Sequence, residues 1–230
     1  MKTITQSDLN LLLDQTYYGW DTKTMLGDVI GFLEFSEANL TWQKRRELLR
    51  AEHEGKNTEF RLEDQHLAAS YRGQLIEAVE YGFDVSLAQR VRYSGLVAFV
   101  TTMEWCAKLF SKRLKHESPS VPAGHNKHVH LFSYLNIESS SQFEKQIDDL
   151  KKLVHVRNCV VHASGFVEGY EFEKEVRETL GSLDGFSTWS ENFLGTNIKI
   201  GKNAIEKFAE GAMAWVPQLD ERCTAAGMFK

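Results

Sequence analysis

The sequence is poor in proline and has no segment that would separate two domains. It contains three prolines in 230 residues and no tract rich in serine, glycine or proline. With 42% hydrophobic residues, the chain can bury a sizeable core. These features predict a single domain over residues 1–230.

Cysteine is also scarce. Cys106, Cys159 and Cys223 are far apart, odd in number and without a CxxC pair. This pattern argues against a disulfide framework and against a structural zinc site. Cys159 is interpreted as a small buried residue.

The chain lacks both an excess of positive charge and a long apolar run. A net charge of −5 argues against a protein that coats nucleic acid through a broad basic face, although it leaves room for a local RNA site. The longest apolar stretch, residues 95–100, is followed by Glu104 and Lys108 and is too short for a membrane span. Because the start MKTITQSDLN has no apolar signal region, we expect a cytoplasmic protein.

The most informative stretch that is present is residues 141–165, SQFEKQIDDLKKLVHVRNCVVHASG. Ser141 and Glu144 have the spacing of a capping box, and Gly165 is the residue type found just past a helix end. Between them, apolar residues recur with the period of one helical face: Phe143, Ile147, Leu150, Val154 and Val161. Leu153, Val156 and Val160 widen the apolar surface. The stretch therefore predicts a helix buried on most sides.

Polar side chains break this pattern in two ways. Arg157 stands where the spacing requires an apolar residue, and a buried guanidinium is costly unless it meets an anion. Lys151, His155, Asn158 and His162 form a polar edge at steps of three and four. A candidate RNA-binding patch within an acidic surface consists of Lys151, Lys152, His155, Arg157 and His162.

Residues 157–162, Arg-Asn-Cys-Val-Val-His, carry a resemblance to a known family. They resemble the R-x4-H signature of the HEPN superfamily, in its RN-x3-H form. Many HEPN proteins are ribonucleases, and they carry the motif near the end of a long core helix. The capping box and Gly165 independently put His162 in the last turn of the predicted helix.

The resemblance implies an all-α fold: a HEPN-like helical bundle with a long central motif helix and a small irregular insertion that carries a short strand. It covers residues 84–222, with additional N-terminal helices at 1–83. Periodicity predicts further helices at 7–19, 24–50, 62–82, 86–114, 172–180 and 203–222, a turn at 55–58 and a strand at 197–200. Ser7 and Ser86 are the predicted caps of the first and fourth of these helices.

Glu104 is the unexpected charge in the most apolar part of the helix at 86–114. One interpretation is an i, i+4 ion pair with Lys108. The other follows from the resemblance, because HEPN proteins often carry a glutamate on the helix packed against the motif helix. Glu104 would then orient Arg157.

A loop at 117–126 leads into His125, His128 and His130. The flanking sequence offers no carboxylate or cysteine, so the main interpretation is an exposed polar loop. Metal ligands and RNA contacts are the alternatives. We expect the protein to use no metal and no cofactor.

The motif side chains suit RNA cleavage through the 2′-hydroxyl. Histidine titrates near neutrality, so His162 is the candidate acid or base, and the helix dipole at a C-terminus favours its protonated form. Arg157 suits the phosphate as a bidentate donor. Asn158, one turn before His162, would fix its tautomer or contact the substrate. The competing interpretation is that Arg157 and His162 only join a buried polar network.

Two functions follow from the resemblance. The first is a metal-independent endoribonuclease of the kind used in toxin–antitoxin, antiphage defence or stress systems. The second is a catalytically silent HEPN module that binds a nucleotide or a protein partner. HEPN toxins silenced by a nucleotidyltransferase carry a tyrosine two residues after the histidine. Because that position is Ser164 here, the resemblance does not extend to that form of control by an antitoxin.

The spacing of Arg157 and His162 also predicts an assembly. At 100° per residue, the two side chains point about 140° apart on one helix and do not converge on one phosphate. Two motif helices that meet across a twofold axis would bring both residue types into one cleft, as HEPN ribonucleases do. We therefore expect a homodimer through residues 141–165.

Overall fold

The all-α prediction is confirmed in the computed structural model. It describes residues 6–59, 65–117, 119–191 and 195–230, and for residues 6–20, 59 and 191 the backbone alone. The helices are α1 (Gln6–Glu59), α2 (Gln65–Tyr81), α3 (Ala88–Arg113), α4 (Lys127–Glu138), α5 (Glu144–Ala163), α6 (Glu173–Leu180) and α7 (Ala204–Ala225). A π-helical turn, Gly82–Leu87, joins α2 to α3, and the strands are β1 (Phe186–Glu191) and β2 (Gly195–Ile200).

The chain divides into two compact units. One contains residues 1–30 and 95–230, and the other contains residues 31–94. The candidate site lies entirely in the first unit. That residues 1–230 act as one domain, with a core at 84–222, stays a prediction.

α1 is one continuous helix where the sequence predicts two helices and a turn. It runs through Gly19, the predicted end of the first helix, and through residues 55–58, so both boundaries are wrong. A glycine inside a helix costs only about 1 kcal/mol, which helical neighbours can outweigh. A Cβ atom on Gly55 would lie 2.6 Å from Cγ of Arg72, so this glycine permits close approach of α2. The predicted cap Ser7 lies outside the residues whose side chains are described.

Two of the predicted helices begin at Leu62 and at Ser86, and the structure describes only the second of these residues. Leu62 lies outside the described residues. Ser86 lies inside the π-helical turn, so the predicted cap is wrong. The backbone stays right-handed helical at Tyr81 and Ala88 on either side of the turn, and no free helix end is left for Ser86 to cap.

α4 replaces the second half of the predicted histidine loop. The loop interpretation is wrong from Lys127 onward, because His128 and His130 lie in the first turns of this helix. The Asn126 side chain caps it by accepting hydrogen bonds from the backbone N–H groups of His128 and Val129 at 2.9 and 3.2 Å. Four apolar side chains of α4 are buried and hold it against the core: Val129, Leu131, Phe132 and Leu135.

α5 begins three residues later than predicted, and the capping box is wrong. The Phe143 N–H donates to Oδ1 of Asn136 at 2.9 Å, and Nδ2 of Asn136 donates to the Glu144 carboxylate at 3.1 Å. Ser141 bonds the Ser139 hydroxyl instead, at 2.6 Å. A side chain from the end of α4 thus does what the predicted cap would have done, and it joins the two helices.

The end of α5 is as predicted, with His162 in the last turn and Gly165 just beyond. Ser164 and Gly165 both have positive φ, 53° and 85°. The chain then pairs with β2, because Val167 N–H donates to the Thr196 carbonyl at 2.8 Å and Ile198 N–H to the Gly165 carbonyl at 2.9 Å. The His162 end of α5 is therefore anchored to the sheet.

The insertion contains the predicted helix α6 and strand β2, and also β1, which was predicted to be irregular. β1 and β2 pair antiparallel, with Phe186 opposite Ile200. Phe186, Ile198 and Ile200 are buried. The backbone of β2 is therefore paired both with β1 and with the segment after α5.

The core of the first unit lies between α3, α4, α5 and α7. Phe132 is fully buried and packs edge-on against Phe110 and Trp215, with ring centroids 5.9 and 5.4 Å apart. Cys106, Cys159 and Cys223 are buried free thiols, and burial raises the pKa of each to about 11. Among the described helices, none is long and apolar enough to cross a membrane.

Candidate functional site

α5 carries the candidate site on a helix that is buried on most sides. The predicted apolar positions that are buried include Ile147, Leu150, Leu153, Val154, Val156 and Val160. Val161 is an exception, because 51% of it is exposed, and its assignment to the buried stripe is wrong. Val161 lies in the last turn, next to His162, where the helix leaves the core.

Arg157 is bonded to Glu104 on α3. Its Nη2 lies 2.6 Å from Oε1 of Glu104, and the two side chains are 19% and 22% exposed. Glu104 thus pairs with Arg157 across two helices and not with Lys108 along its own helix. The buried Nε of Arg157 has no hydrogen-bond partner among the described residues. Part of the guanidinium is therefore held by the protein and part is left without a partner.

His128 on α4 lies close to this ion pair. Burial lowers the pKa of His128, the Glu104 carboxylate opposes that shift, and Lys127, Lys108 and Arg157 add to it. A lowered pKa keeps the imidazole of His128 neutral near pH 7. The ion pair therefore has a neutral ring beside it.

A cleft of about 590 Å³ opens between α4, α5 and the loop before α4. The predicted polar edge of α5 faces it through Lys151, His155 and Asn158. The loop and α4 contribute His125 and His130. We call this region the α4–α5 cleft; its described lining is Gly124, His125, Asn126, Val129, His130, Ser133, Lys151, Val154, His155 and Asn158.

The α5 side chains in this cleft are available to a ligand. Lys151 is exposed and forms no ion pair with any described residue. Asn158 is half-buried and forms no hydrogen bond with the described part of the chain. Burial, and then Lys151, lowers the pKa of His155, while Glu175 opposes the shift. His155 is therefore a neutral imidazole near pH 7, able to accept a proton.

The predicted site residues are only partly brought together. Lys151, His155 and Asn158 share the α4–α5 cleft, while Arg157 faces Glu104. Lys152 is paired with Asp148 at 2.8 Å and does not line the cleft. His162 is exposed in the last turn and is outside the described lining of the cleft.

His128 and His130 lie on α4, and His125 lies in the loop just before it. His125 and His130 line the cleft, and His128 interacts electrostatically with Glu104 and Arg157. In the sequence, Asn126 directly before an apolar pattern is the signal for the start of the helix that carries His128 and His130. Within the described chain, no group of three His, Cys, Asp or Glu side chains could hold a metal ion.

Comparison with known proteins adds no assignment to this geometry. The chain matches no family model, no curated protein and no solved structure. The resemblance to HEPN proteins, carried by residues 157–162, therefore stays a prediction.

Proposed function

We propose that this protein is a metal-independent endoribonuclease of HEPN type. The observation that supports it best is the arrangement of polar side chains along α5. Arg157 is held by a carboxylate from the neighbouring helix, and the side chains of Lys151, His155 and Asn158 line an open cleft beside it. Cleavage of RNA by its own 2′-hydroxyl requires a cation at the phosphate, polar groups that hold the strand and a proton carrier, and His162 at the end of the same helix has this last role.

In this reaction the 2′-hydroxyl attacks the adjacent phosphorus, and the bond from phosphorus to the 5′-oxygen breaks. Arg157 binds the phosphate oxygens and balances the charge that develops on them. His162 gives a proton to the leaving 5′-oxygen or takes the proton of the 2′-hydroxyl. Asn158 orients His162 or the substrate, and Lys151 and His155 contact the RNA. Glu104 is a positioning residue that acts through Arg157.

The proposal includes a homodimer through residues 141–165. In one chain Arg157 faces α3, whereas His162 is exposed at the end of α5. A second copy, related by a twofold axis, brings Arg157 and His162 of both copies into one cleft. A protein partner such as an antitoxin belongs to the same proposal, as does a role in antiphage defence or stress.

The test is a cleavage assay on single-stranded RNA and on DNA of the same sequence, with and without a chelator. The protein should cut only the RNA, in the presence of EDTA, and leave 2′,3′-cyclic phosphate or 3′-phosphate ends. Arg157→Ala should lose orders of magnitude in rate. Cleavage of the DNA, or loss of activity in EDTA that added metal restores, would contradict the mechanism.

A second candidate is the catalytically silent HEPN module that binds a nucleotide or a protein partner. The Arg157–Glu104 pair favours it, because a half-buried ion pair also has a purely structural role. The same assay separates the two functions. A folded protein that binds RNA or nucleotide without cutting it belongs to the second.

A further inference from the structure

Trp105 on α3 is an exposed aromatic side chain with lysines beside it. It is 43% exposed. Lys108 and Lys112 follow it at three and seven residues, so all three share one face of α3. Lys127 and His130 of α4 lie opposite, across a groove of about 420 Å³. We call this region the Trp105 groove.

The Trp105 groove and the α4–α5 cleft share His130, so they adjoin at the start of α4. No Asp or Glu belongs to the described lining of either one. The protein as a whole has 32 acidic residues and a net charge of −5. The lining of the Trp105 groove is largely apolar, and its charged side chains are the lysines Lys108, Lys112 and Lys127. An apolar surface edged by cations and without carboxylates is a local exception in this acidic protein, and it is complementary to a polyanion that carries aromatic groups.

The chemistry of the groove identifies the kind of polyanion. An exposed aromatic ring with cations along one side is how proteins bind single-stranded nucleic acid, because bases stack on the ring and phosphates contact the cations. Lys108, Lys112 and Lys127 form no ion pair with any described residue, so their charges are available. A base-paired duplex cannot offer a base face to Trp105.

We propose that the Trp105 groove and the α4–α5 cleft form one continuous binding track for single-stranded RNA. Trp105 stacks on one unpaired base, and Lys108 and Lys112 contact the phosphates that flank it. The strand then passes His130 into the cleft, where it meets Lys151 and Asn158. This inference rests on the proposed function for the choice of RNA, and it adds the strand state and a residue that stacks on a base.

The test uses a fluorescein-labelled single-stranded RNA with 2′-fluoro groups, which the proposed chemistry cannot cleave. Binding to the full-length protein is followed by fluorescence anisotropy. Trp105→Ala should weaken binding about tenfold, the loss typical of one stacked base. Trp105→Phe should recover most of it. Trp42→Ala is the matched control, because Trp42 is 61% exposed and does not line the track.

The lysines are tested through the salt dependence of the same binding. K108Q/K112Q should make the plot of log affinity against log salt shallower by about 1.4, since each phosphate contact to a single strand contributes about 0.7. K145Q/K207Q removes the same charge from lysines paired with Asp149 and Asp184, and should leave the slope unchanged. A duplex of the same sequence should bind several-fold more weakly.

The track is wrong if the wild-type protein does not bind the single strand. It is also wrong if Trp105→Ala binds as the wild type does, or if Trp42→Ala weakens binding as much. These results can be told apart from a failure of the proposed ribonuclease activity. A protein that binds through Trp105 but never cuts natural RNA supports the track and contradicts the ribonuclease. A protein that cuts RNA equally well with and without Trp105 supports the ribonuclease and contradicts the track.

Discussion

At the scale of single residues, the site depends on how the protein holds one charge. Arg157 lies on a helix whose neighbouring positions are buried, and only the Glu104 carboxylate compensates its guanidinium among the described residues. An ion pair that is mostly shielded from water is sensitive to the loss of either partner, because the remaining charge is left without compensation. Glu104 is therefore important to the fold and to the position of Arg157.

Glu104→Ala should lower the free energy of unfolding by about 1–3 kcal/mol, the cost of leaving a charged hydrogen-bonding group unpaired. Urea denaturation followed by circular dichroism measures this change. Lys207→Ala serves as control, because its pair with Asp184 is exposed and should contribute less than about 1 kcal/mol. Equal losses in the two variants would show that Arg157 does not need Glu104.

The half-buried histidines His128 and His155 predict how the stability of the protein depends on pH. The pKa values of His128 and His155 lie below the ordinary value in the folded protein, so the unfolded chain binds more protons. Their contribution is fully present above about pH 6.5 and is lost as the pH falls below that value. The melting temperature should therefore fall between pH 7.5 and 5.5.

The groups that set these two pKa values lie on several elements. Glu104 opposes the shift of His128, while Lys108, Lys127 and Arg157 support it; for His155, Lys151 supports the shift and Glu175 opposes it. H128N/H155N should flatten the pH dependence of the melting temperature. The exposed His53 provides the control, as His53→Asn should leave the dependence unchanged. An unchanged slope in the double variant would contradict the assignment.

At the scale of elements, α4 and α5 are joined by one amide. The Asn136 side chain is buried, accepts from the Phe143 N–H and donates to the Glu144 carboxylate. Asn136→Ala removes both bonds and should cost about 1–3 kcal/mol of unfolding free energy. Ser141→Ala, at the predicted cap, should cost less, because the Ser141 hydroxyl bonds the Ser139 hydroxyl instead of the backbone of α5. Denaturation of the two variants compares them, and a larger loss for Ser141→Ala would favour the capping box instead.

How far sequence predicts these elements depends on whether the signal is local. The end of α5 at Gly165, the helix α6 and the strand β2 follow from nearby residues and were predicted. Asn136 lies seven residues before the backbone N–H that it caps, on another helix, so a local rule selects Ser141 instead. Gly55 suggests a turn until the approach of Arg72 is known.

Local sequence signals likewise predict only part of the candidate site. Periodicity along α5 groups Lys151, His155 and Asn158, and these side chains do share a cleft. The Arg157–Glu104 pair spans 53 positions and was reached through the family resemblance rather than through periodicity. Lys152 was assigned to the same patch as Lys151, but Asp148 on the preceding turn takes up its charge. The contribution of His130 to both the groove and the cleft depends on the packing of α3, α4 and α5.

At the scale of the whole molecule, the account predicts a twofold assembly. Val161 is an aliphatic residue left 51% exposed beside His162, on the helix proposed to meet its copy. Val161→Glu should convert a dimer to a monomer, because two copies of the new charge would face each other across the axis. Phe35, which is 74% exposed on α1 and distant in sequence from residues 141–165, provides the control, because Phe35→Glu should leave the dimer intact. A wild-type monomer at micromolar concentration in sedimentation experiments would contradict the assembly.

The central claim is that His162 carries a proton during RNA cleavage, and one comparison tests it most directly. Initial rates of RNA cleavage are measured for the wild type, His162→Ala and His53→Ala, with circular dichroism and sedimentation on each. His162 and His53 are both exposed helical histidines, so neither substitution should disturb folding. The account predicts wild-type cleavage for His53→Ala and a loss of orders of magnitude for His162→Ala. A folded His162→Ala protein, in the same oligomeric state, that cuts RNA at the wild-type rate would contradict it.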